Sequence, residues 1–443
     1  MTFVPKENRE LPQIPGSWGM PVFGNTFSYM KDSVAWSHKN YEMYGPVFKV
    51  NAFFLKGAVA LGPEALQFVL QDKEGNFSTA LGWAPFFHKL FPSSLPMRDG
   101  DDHRFNRRIV QEAFKKEAMT GYVDVINPVV DRQLQEWKSQ ETFLFYPQIK
   151  ALALNVSAAV FMGLDLGEEA DKANKALLDL VAAVGAVFHR EVPFLKFRKG
   201  MNGRRYLCEL LMPFIEDKKK VAPKDLFGHL CHAKTEEGDA FSHQEIVDHT
   251  IAIMFASHDT TTSILTSMAY WMARYPEWQD KVREECLGLG KPFIHYDDLD
   301  DMQVMEWVFK EGLRLNPPVD LAQRRAVRDC ELLGYHIPKD TIVMAGIGFT
   351  HRMKDYWKEP ERFDPTRFAP GREEDKQHPF LWSPFGGGAH KCIGMHFAYM
   401  NVKAIMHQLL TRYRFELPCD PEVKFQAIPV KPRNNLPFRV VPL

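Results

Sequence analysis

The sequence predicts a mostly α-helical protein with small β-sheets, on three observations. Between the capping box Ser242-His243-Gln244-Glu245 and Pro276 the chain holds no proline, which leaves room for one helix of about 50 Å at ~1.5 Å per residue. From Ala118 to Lys220 apolar residues recur at amphipathic-helix spacing through several segments. Strand patterns are short, confined to residues 47–61 and to the tail from Phe415 to Val441. The 443 residues exceed the usual single-domain length, yet nothing reads as a linker, so one domain spanning 1–443 is expected. A formal net charge of −1 argues against nucleic acid as the main partner, while 34 Phe, 9 Trp and 13 Tyr favour apolar cavities. Six cysteines with no paired spacing suggest neither a disulfide framework nor a zinc site, and fit a reducing cytoplasm.

Residues 1–24 hold Pro5, Pro12, Pro15 and Pro21 and no long apolar run, so neither a signal peptide nor a membrane anchor is expected there. A helix should stop at Tyr44-Gly45-Pro46, Val47 to Ala52 should pair with Ala58 to Leu61 as a hairpin, and Gly62-Pro63 should open the next helix. Between Phe77 and Met97 the large apolar residues Leu81, Trp83, Phe86, Phe87, Leu90, Phe91 and Leu95 are punctuated by Pro85, Pro92 and Pro96. An irregular segment is expected there, packed on the core or lining an apolar ligand cavity. Gly100-Asp101-Asp102 begins an acid-capped helix on which His103 and Arg107, four apart, share a face; on its own such a basic face is usually solvated.

Ala151 to Met162 is apolar almost all round and should be buried, whereas Val181 to Leu195, with Phe188, Pro193 and Phe194, is a candidate pocket wall. Arg204-Arg205 and Lys218-Lys219-Lys220 read as a solvated basic face or a docking surface. In the middle of the long helix, Ala256-Ser257-His258-Asp259-Thr260-Thr261-Thr262 sets an acid and threonines among Ile251, Ile253, Met254, Phe255, Ile264 and Leu265. Burying those polar groups costs stability unless they have a use, although Thr260 could simply bond back to the carbonyl of Ala256. Glu311 and Arg314 share one face of a helix that Asn316-Pro317-Pro318 ends, where a surface ion pair is the ordinary reading.

The most distinctive stretch runs from Ser383 to Ala398. Gly386-Gly387-Gly388 lets the backbone pass close under a flat ligand, and Cys392 stands where a helix from Met395 to Tyr413 begins. A helix N-terminus favours a thiolate, the form that binds a metal; the plain alternative is a glycine loop with a buried thiol. Phe385, Gly388, His390, Cys392 and Gly394 together resemble the signature of the cytochrome P450 superfamily, the haem-thiolate monooxygenases. The resemblance extends to the Ala-Gly-x-Asp-Thr-Thr motif, here Ala256 to Thr261 with Ser257 in place of glycine, and to Glu311-x-x-Arg314. It also covers Phe363-Asp364-Pro365-Thr366-Arg367-Phe368 and the Trp-x-x-x-Arg pattern, in which His103 takes the tryptophan position before Arg107.

What the resemblance implies is a triangular helical prism enclosing haem b, with Cys392 as the iron ligand. Phe385, Gly394 and Ala256 would lie against the haem, and His103, Arg107, Arg324 and His390 would hold its propionates, with Arg325 a lesser claimant. Asp259 and Thr260 would be catalytic, and Glu311, Arg314 and Arg367 a buried structural triad. Trp83, Phe86, Phe87, Phe188 and Ile428 would face the substrate, with Pro429 beside the last. The implied reaction uses dioxygen and two electrons from a ferredoxin or flavodoxin type partner with its reductase; one oxygen atom enters a C–H bond and the other leaves as water. A peroxide-driven peroxygenase and a non-catalytic haem sensor or carrier are the alternatives, and Asp259 with Thr260 counts against the first. The long helix and the region from Pro370 to Cys392 look closest to the sterol demethylase and retinoid hydroxylase branches, though sterol demethylases usually follow the central His with Thr, and here Asp259 follows His258. The expected substrate is lipophilic: a terpenoid, steroid or sterol, retinoid or fatty-acid-like molecule. A soluble monomer without a membrane anchor, of bacterial type or shortened from an anchored form, is expected.

Overall fold

The computed structural model describes residues 11–137, 143–164, 169–186, 189–234, 238–418, 423–427 and 430–443. Helices dominate, and the strands gather into small sheets. The chain packs into two compact units, each discontinuous in sequence: 1–85 with 310–392 and 425–431, and 86–309 with 393–424 and 432–443.

The first unit is built on a five-stranded sheet. Gly45, at φ 84°, ends the helix Ser33–Tyr44 in a conformation that suits glycine. The chain then forms the expected hairpin, with Val47 opposite Ala60 and the second strand beginning at Leu55. Leu55–Leu61 also pairs in parallel with Ile342–Gly346, which pairs antiparallel with Leu321–Ala326, and Phe77–Ser78 closes the far edge. Alternate residues feed two cores, as a strand buried on both faces requires. Ala58, Ala60, Val343 and Ala345 meet Ala65, Leu66 and Val69 of the helix Pro63–Gln71. Val59, Leu61, Ile342 and Met344 meet Tyr29, Trp36, Phe48 and Phe349.

Residues 77–97 are more regular than expected. Thr79–Phe87 is an α-helix that contains Pro85. A proline at the seventh position forfeits its bond to the Leu81 carbonyl and crowds that oxygen, but only two residues of helix follow it. Gly82 lets that helix lie directly on a strand, since a Cβ there would stand 2.7 Å from the Arg324 Cα.

The second unit is organised by a central helix, His243–Arg274, 32 residues long. Its capping box forms as expected: the Ser242 hydroxyl accepts from the Glu245 N–H, and the Glu245 carboxylate accepts from the Ser242 N–H. The apolar helix Phe145–Phe161 packs along it and buries Ile149, Leu152, Val156 and Val160. Gln279 fastens the C-terminal strands, donating to the Phe415 carbonyl at 3.0 Å and accepting from its N–H at 2.8 Å. Phe415 in turn stacks on Phe438 of the strand Pro437–Pro442.

Two basic residues expected at a solvated face are pins instead. Arg204 bonds the buried Asp248 carboxylate and the Leu90 carbonyl, and Lys218 bonds Asp225 at 2.5 Å and the Gly163 carbonyl at 3.0 Å. A charge is buried here only because a carboxylate and a carbonyl complete its hydrogen bonds. Lys219 and Lys220 remain exposed. Among the described residues no helix is long and apolar enough to cross a membrane.

Candidate active site

The cysteine loop is closed from within. The Cys392 N–H donates to the Phe385 carbonyl at 2.9 Å, and the Gly386 N–H to that of Ser383 at 2.9 Å. Gly386 and Gly388 hold φ of 69° and 65°. A Cβ on Gly388 would stand 2.2 Å from the Leu70 carbonyl oxygen, and one on Gly387 would stand 2.3 Å from the Phe380 ring. Larger residues would therefore push the loop off its seat. Of the cysteines described, Cys392 alone is exposed, and the helix Met395–Arg412 follows it with Gly394 as N-cap. His390 ends the short 3₁₀ turn Gly388–His390.

In the same unit a buried ionic network supports the loop. Arg314 and Glu311 form a two-pronged pair at 2.7 and 2.8 Å, and Arg367 reaches Glu311 at 3.3 Å. All three side chains are at most 1 % exposed. Remaining donors are spent on the carbonyls of His351, Pro360, Glu359 and Arg362, and on the Glu374 carboxylate. Rings continue from there: the Arg314 guanidinium lies 5.2 Å from the Trp357 ring, then follow Phe368, Trp382 and Phe385 at centroid spacings of 6.1, 5.8 and 6.3 Å. His351 also holds the loop. Burial, then Arg314 and Arg352, push its imidazole down to about 3, so its Nε2 is an acceptor and takes the Ser383 N–H at 3.0 Å. No sequence signal marks it, because its role is set by where Thr350-His351-Arg352 folds against the loop.

In the second unit, the central helix is buried along most of its length but exposes Ala256, with Ser257, Asp259 and Thr260 half-buried. The Thr260 hydroxyl donates to the Ala256 carbonyl at 2.6 Å, so at rest it presents lone pairs and must turn to donate elsewhere. Ser257 bonds Ser157 across the helix pair at 3.0 Å and the Met254 carbonyl at 3.1 Å. Its hydroxyl thus ties the central helix to Phe145–Phe161. Asp259 lies 3.2 Å from the Lys150 ammonium and 3.3 Å from His258 Nδ1. His258 is fully buried, and burial lowers its pKa against the opposing pull of Asp259.

The remaining candidates fall as follows. His103 is buried and Arg107 half-buried on the helix Gly100–Glu112, where Arg107 with Asp101, Arg104, Phe105, Arg108 and Gln111 lines a hollow of about 600 Å³. Arg324 is buried in its strand and Arg325 half-buried beside it. Phe87 packs on Phe91 and on Phe255 of the central helix, and Phe86 sits edge-on to His189. Trp83 is half-buried in the helix Thr79–Phe87. Phe188, Ile428 and Pro429 lie outside the described residues.

An exposed thiol on a glycine loop ahead of a helix is a donor suited to a haem iron, and the partly exposed Ala256, Ser257 and Thr260 form a small-residue face against which a flat ring could lie. In class, this is a haem-thiolate enzyme. The chain belongs to the cytochrome P450 family, whose profile matches residues 14–436. It is 36% identical over 446 residues to the Mycobacterium tuberculosis protein named cytochrome P450 136, covering 99% of this chain and 90% of that one. Abscisic acid 8'-hydroxylase 2 of Arabidopsis thaliana is 28% identical over 99% of this chain and 91% of its own. The solved structure of retinoic acid bound cyanobacterial CYP120A1 superposes with a TM-score of 0.88 at 28% identity, covering 98% of this chain and all of that one. The protein is therefore a cytochrome P450 monooxygenase with a haem-thiolate cofactor, acting with dioxygen and a redox partner.

Proposed function

We propose that this monooxygenase inserts one atom of dioxygen into a C–H bond of a ring-bearing isoprenoid acid. One similar structure is retinoic acid bound and one relative is named for abscisic acid, two acids that share a lipophilic isoprenoid skeleton and a single carboxylate. The apolar side chains Phe86, Phe87, Phe91 and Phe255 suit such a skeleton. Steroids and fatty acids are the competing lipophilic classes. Bound haem b, ligated by Cys392, would supply O–O cleavage and oxygen insertion.

The chain's own residues then bind, orient and move protons. His103, Arg107, Arg324 and His390 would hold the propionates, and Phe385, Gly394 and Ala256 would border the ring. Glu311, Arg314 and Arg367 keep the loop in place. Asp259 would relay protons and Thr260 would donate them, once its hydroxyl leaves the Ala256 carbonyl. The observation that carries this assignment is the Asp259–Thr260 pair, half-buried on a helix whose flanking residues are buried. The whole chain acts as one catalytic domain, a cytoplasmic monomer served by a ferredoxin or flavodoxin type protein; the mycobacterial relative supports a bacterial setting.

The test is a spectral titration of the purified holoprotein with isoprenoid acids, steroids and fatty acids, followed by turnover with reductase and partner, with peroxide, or with neither. Binding and reductase-driven hydroxylation of isoprenoid acids support the proposal. Turnover with peroxide alone marks a peroxygenase, which the hydrogen bond holding Thr260 to Ala256 would suit.

A further inference from the structure

Two buried acceptors face each other beside the half-exposed strip of the central helix. His258 spends its Nε2–H on the Lys150 carbonyl, 3.2 Å away on the helix Phe145–Phe161. Its other nitrogen, Nδ1, points at Asp259 Oδ1 across 3.3 Å. Among the described residues Nδ1 has no hydrogen-bond partner, and Oδ1 accepts none, with only the Lys150 ammonium paired to it. A bare imidazole nitrogen and a carboxylate oxygen at that distance present lone pair to lone pair, which is costly at a buried site. One proton between them removes the conflict and gives both atoms a partner. The Lys150 ammonium, 3.2 Å from the same Oδ1, supplies positive charge, and its side chain is 27% exposed against 0% for His258. The pair therefore has one edge that meets water. Tyr146, from the same helix as Lys150, also faces Asp259; burial first and the acid second push its phenol up and keep it neutral.

We propose that His258 and Asp259 share one proton between Nδ1 and Oδ1, and that Lys150 positions the acid and opens the pair to solvent, so that the three form the reloading end of the proton path. This rests on the assignment of Asp259 and Thr260 as the proton-delivering pair. The balance is simple. When Asp259 passes the shared proton on, the dyad becomes a carboxylate beside a neutral imidazole, held for that moment by the Lys150 ammonium. A proton from water at the exposed Lys150 edge then restores the original state. Burial of the imidazole supports the cycle, because it disfavours a resting imidazolium and keeps the proton mobile. The structure also explains why the residue before the acid is a histidine: it ties two helices through Nε2 and holds a proton through Nδ1.

The test has a spectroscopic arm and a turnover arm, both on the holoprotein. In the diamagnetic ferrous carbon monoxide form, labelled with ¹⁵N-histidine, His258 should show an Nε2–H and an Nδ1 resonance midway between a bare acceptor and a protonated nitrogen. In Asp259→Asn the amide can only donate a fixed hydrogen, so Nδ1 should move to an ordinary acceptor position. A bare-acceptor Nδ1 in the wild type from pH 6 to 9 would overturn the shared proton. In turnover, His258→Gln keeps a donor for the Lys150 carbonyl but cannot hold the proton, and should raise the peroxide-to-product ratio by about tenfold, less than the ~10²-fold a directly acting general acid supplies, because Asp259 and Thr260 stay in place. Lys150→Met should do the same with a larger solvent isotope effect. If Thr260→Ala uncouples turnover while both of these variants stay coupled, the relay fails and the acid–alcohol assignment stands. If Thr260→Ala stays coupled, that assignment fails, whatever His258 does.

Discussion

Cys392 and the Glu311 network differ in what their loss should do. Cys392 is the exposed cysteine of those described, and its backbone is fixed by the Phe385 carbonyl, so replacing the side chain should leave the loop intact. Cys392→His is expected to fold and to bind some haem, and its reduced carbon monoxide adduct should lose the thiolate-type Soret position. Retention of that band would place the ligand elsewhere. Glu311→Ala instead leaves Arg314 and Arg367 buried with no carboxylate between them. Breaking a buried pair in that way costs about 3–5 kcal/mol, so poor expression or a midpoint lowered by many degrees is expected, checked by chemical denaturation of the apoprotein and the holoprotein. Arg314→Lys should also fail, because an ammonium cannot reproduce two parallel bonds to Glu311 together with bonds to the carbonyls of His351 and Pro360.

At the scale of elements, the sequence was legible where a local rule decides the outcome and silent where a partner from elsewhere does. The capping box at Ser242, the Gly45 stop and the Gly62-Pro63 start are local, and each element begins or ends within a residue of where those signals put it. Thr79–Phe87 is hidden because Pro85 reads as a breaker, yet it stands near the end of the helix, with only Phe86 and Phe87 after it. Arg204 and Lys218 looked like solvated charges because Asp248 and Asp225, which bury them, are remote in sequence or only meet them after folding. Ser257 is the same kind of case: its partner, Ser157, is a hundred residues away. A prediction belongs to this helix pair. Thr260→Ala removes the hydroxyl but not the backbone, so substrate binding and oxygen consumption should continue while most reductant is lost as peroxide, measured as product formed per reductant consumed. Wild-type coupling in that variant would leave Thr260 as a residue that only bonds back to Ala256.

For the whole molecule, the candidate site could be read as a list of residue types but not as an electrostatic system, since burial is what decides which histidines stay neutral. His249 and His351 are both at most 1% exposed, and burial is the largest cause holding each down at about 3. Cations add to it, Arg98 at His249 and Arg314 with Arg352 at His351. A histidine depressed in the folded state but ordinary when unfolded stabilises the fold fully above pH ~6.5, and that contribution is lost progressively as pH falls toward 3, because the unfolded chain binds the proton that the native chain refuses. Each such group can remove up to about 1.4 kcal/mol per pH unit in that window. His351 holds the Ser383 N–H at the head of the cysteine loop, so its protonation should release the loop before the rest of the first unit melts. Acid titration of the holoprotein is therefore expected to shift the Soret band from its thiolate position at a higher pH than it unfolds the helices by far-ultraviolet circular dichroism. His351→Gln, which can still accept that N–H through its side-chain oxygen but cannot take up a proton, should bring the two transitions together at lower pH. Coincident transitions in the wild type would mean that His351 titrates only with global unfolding and does not control the loop.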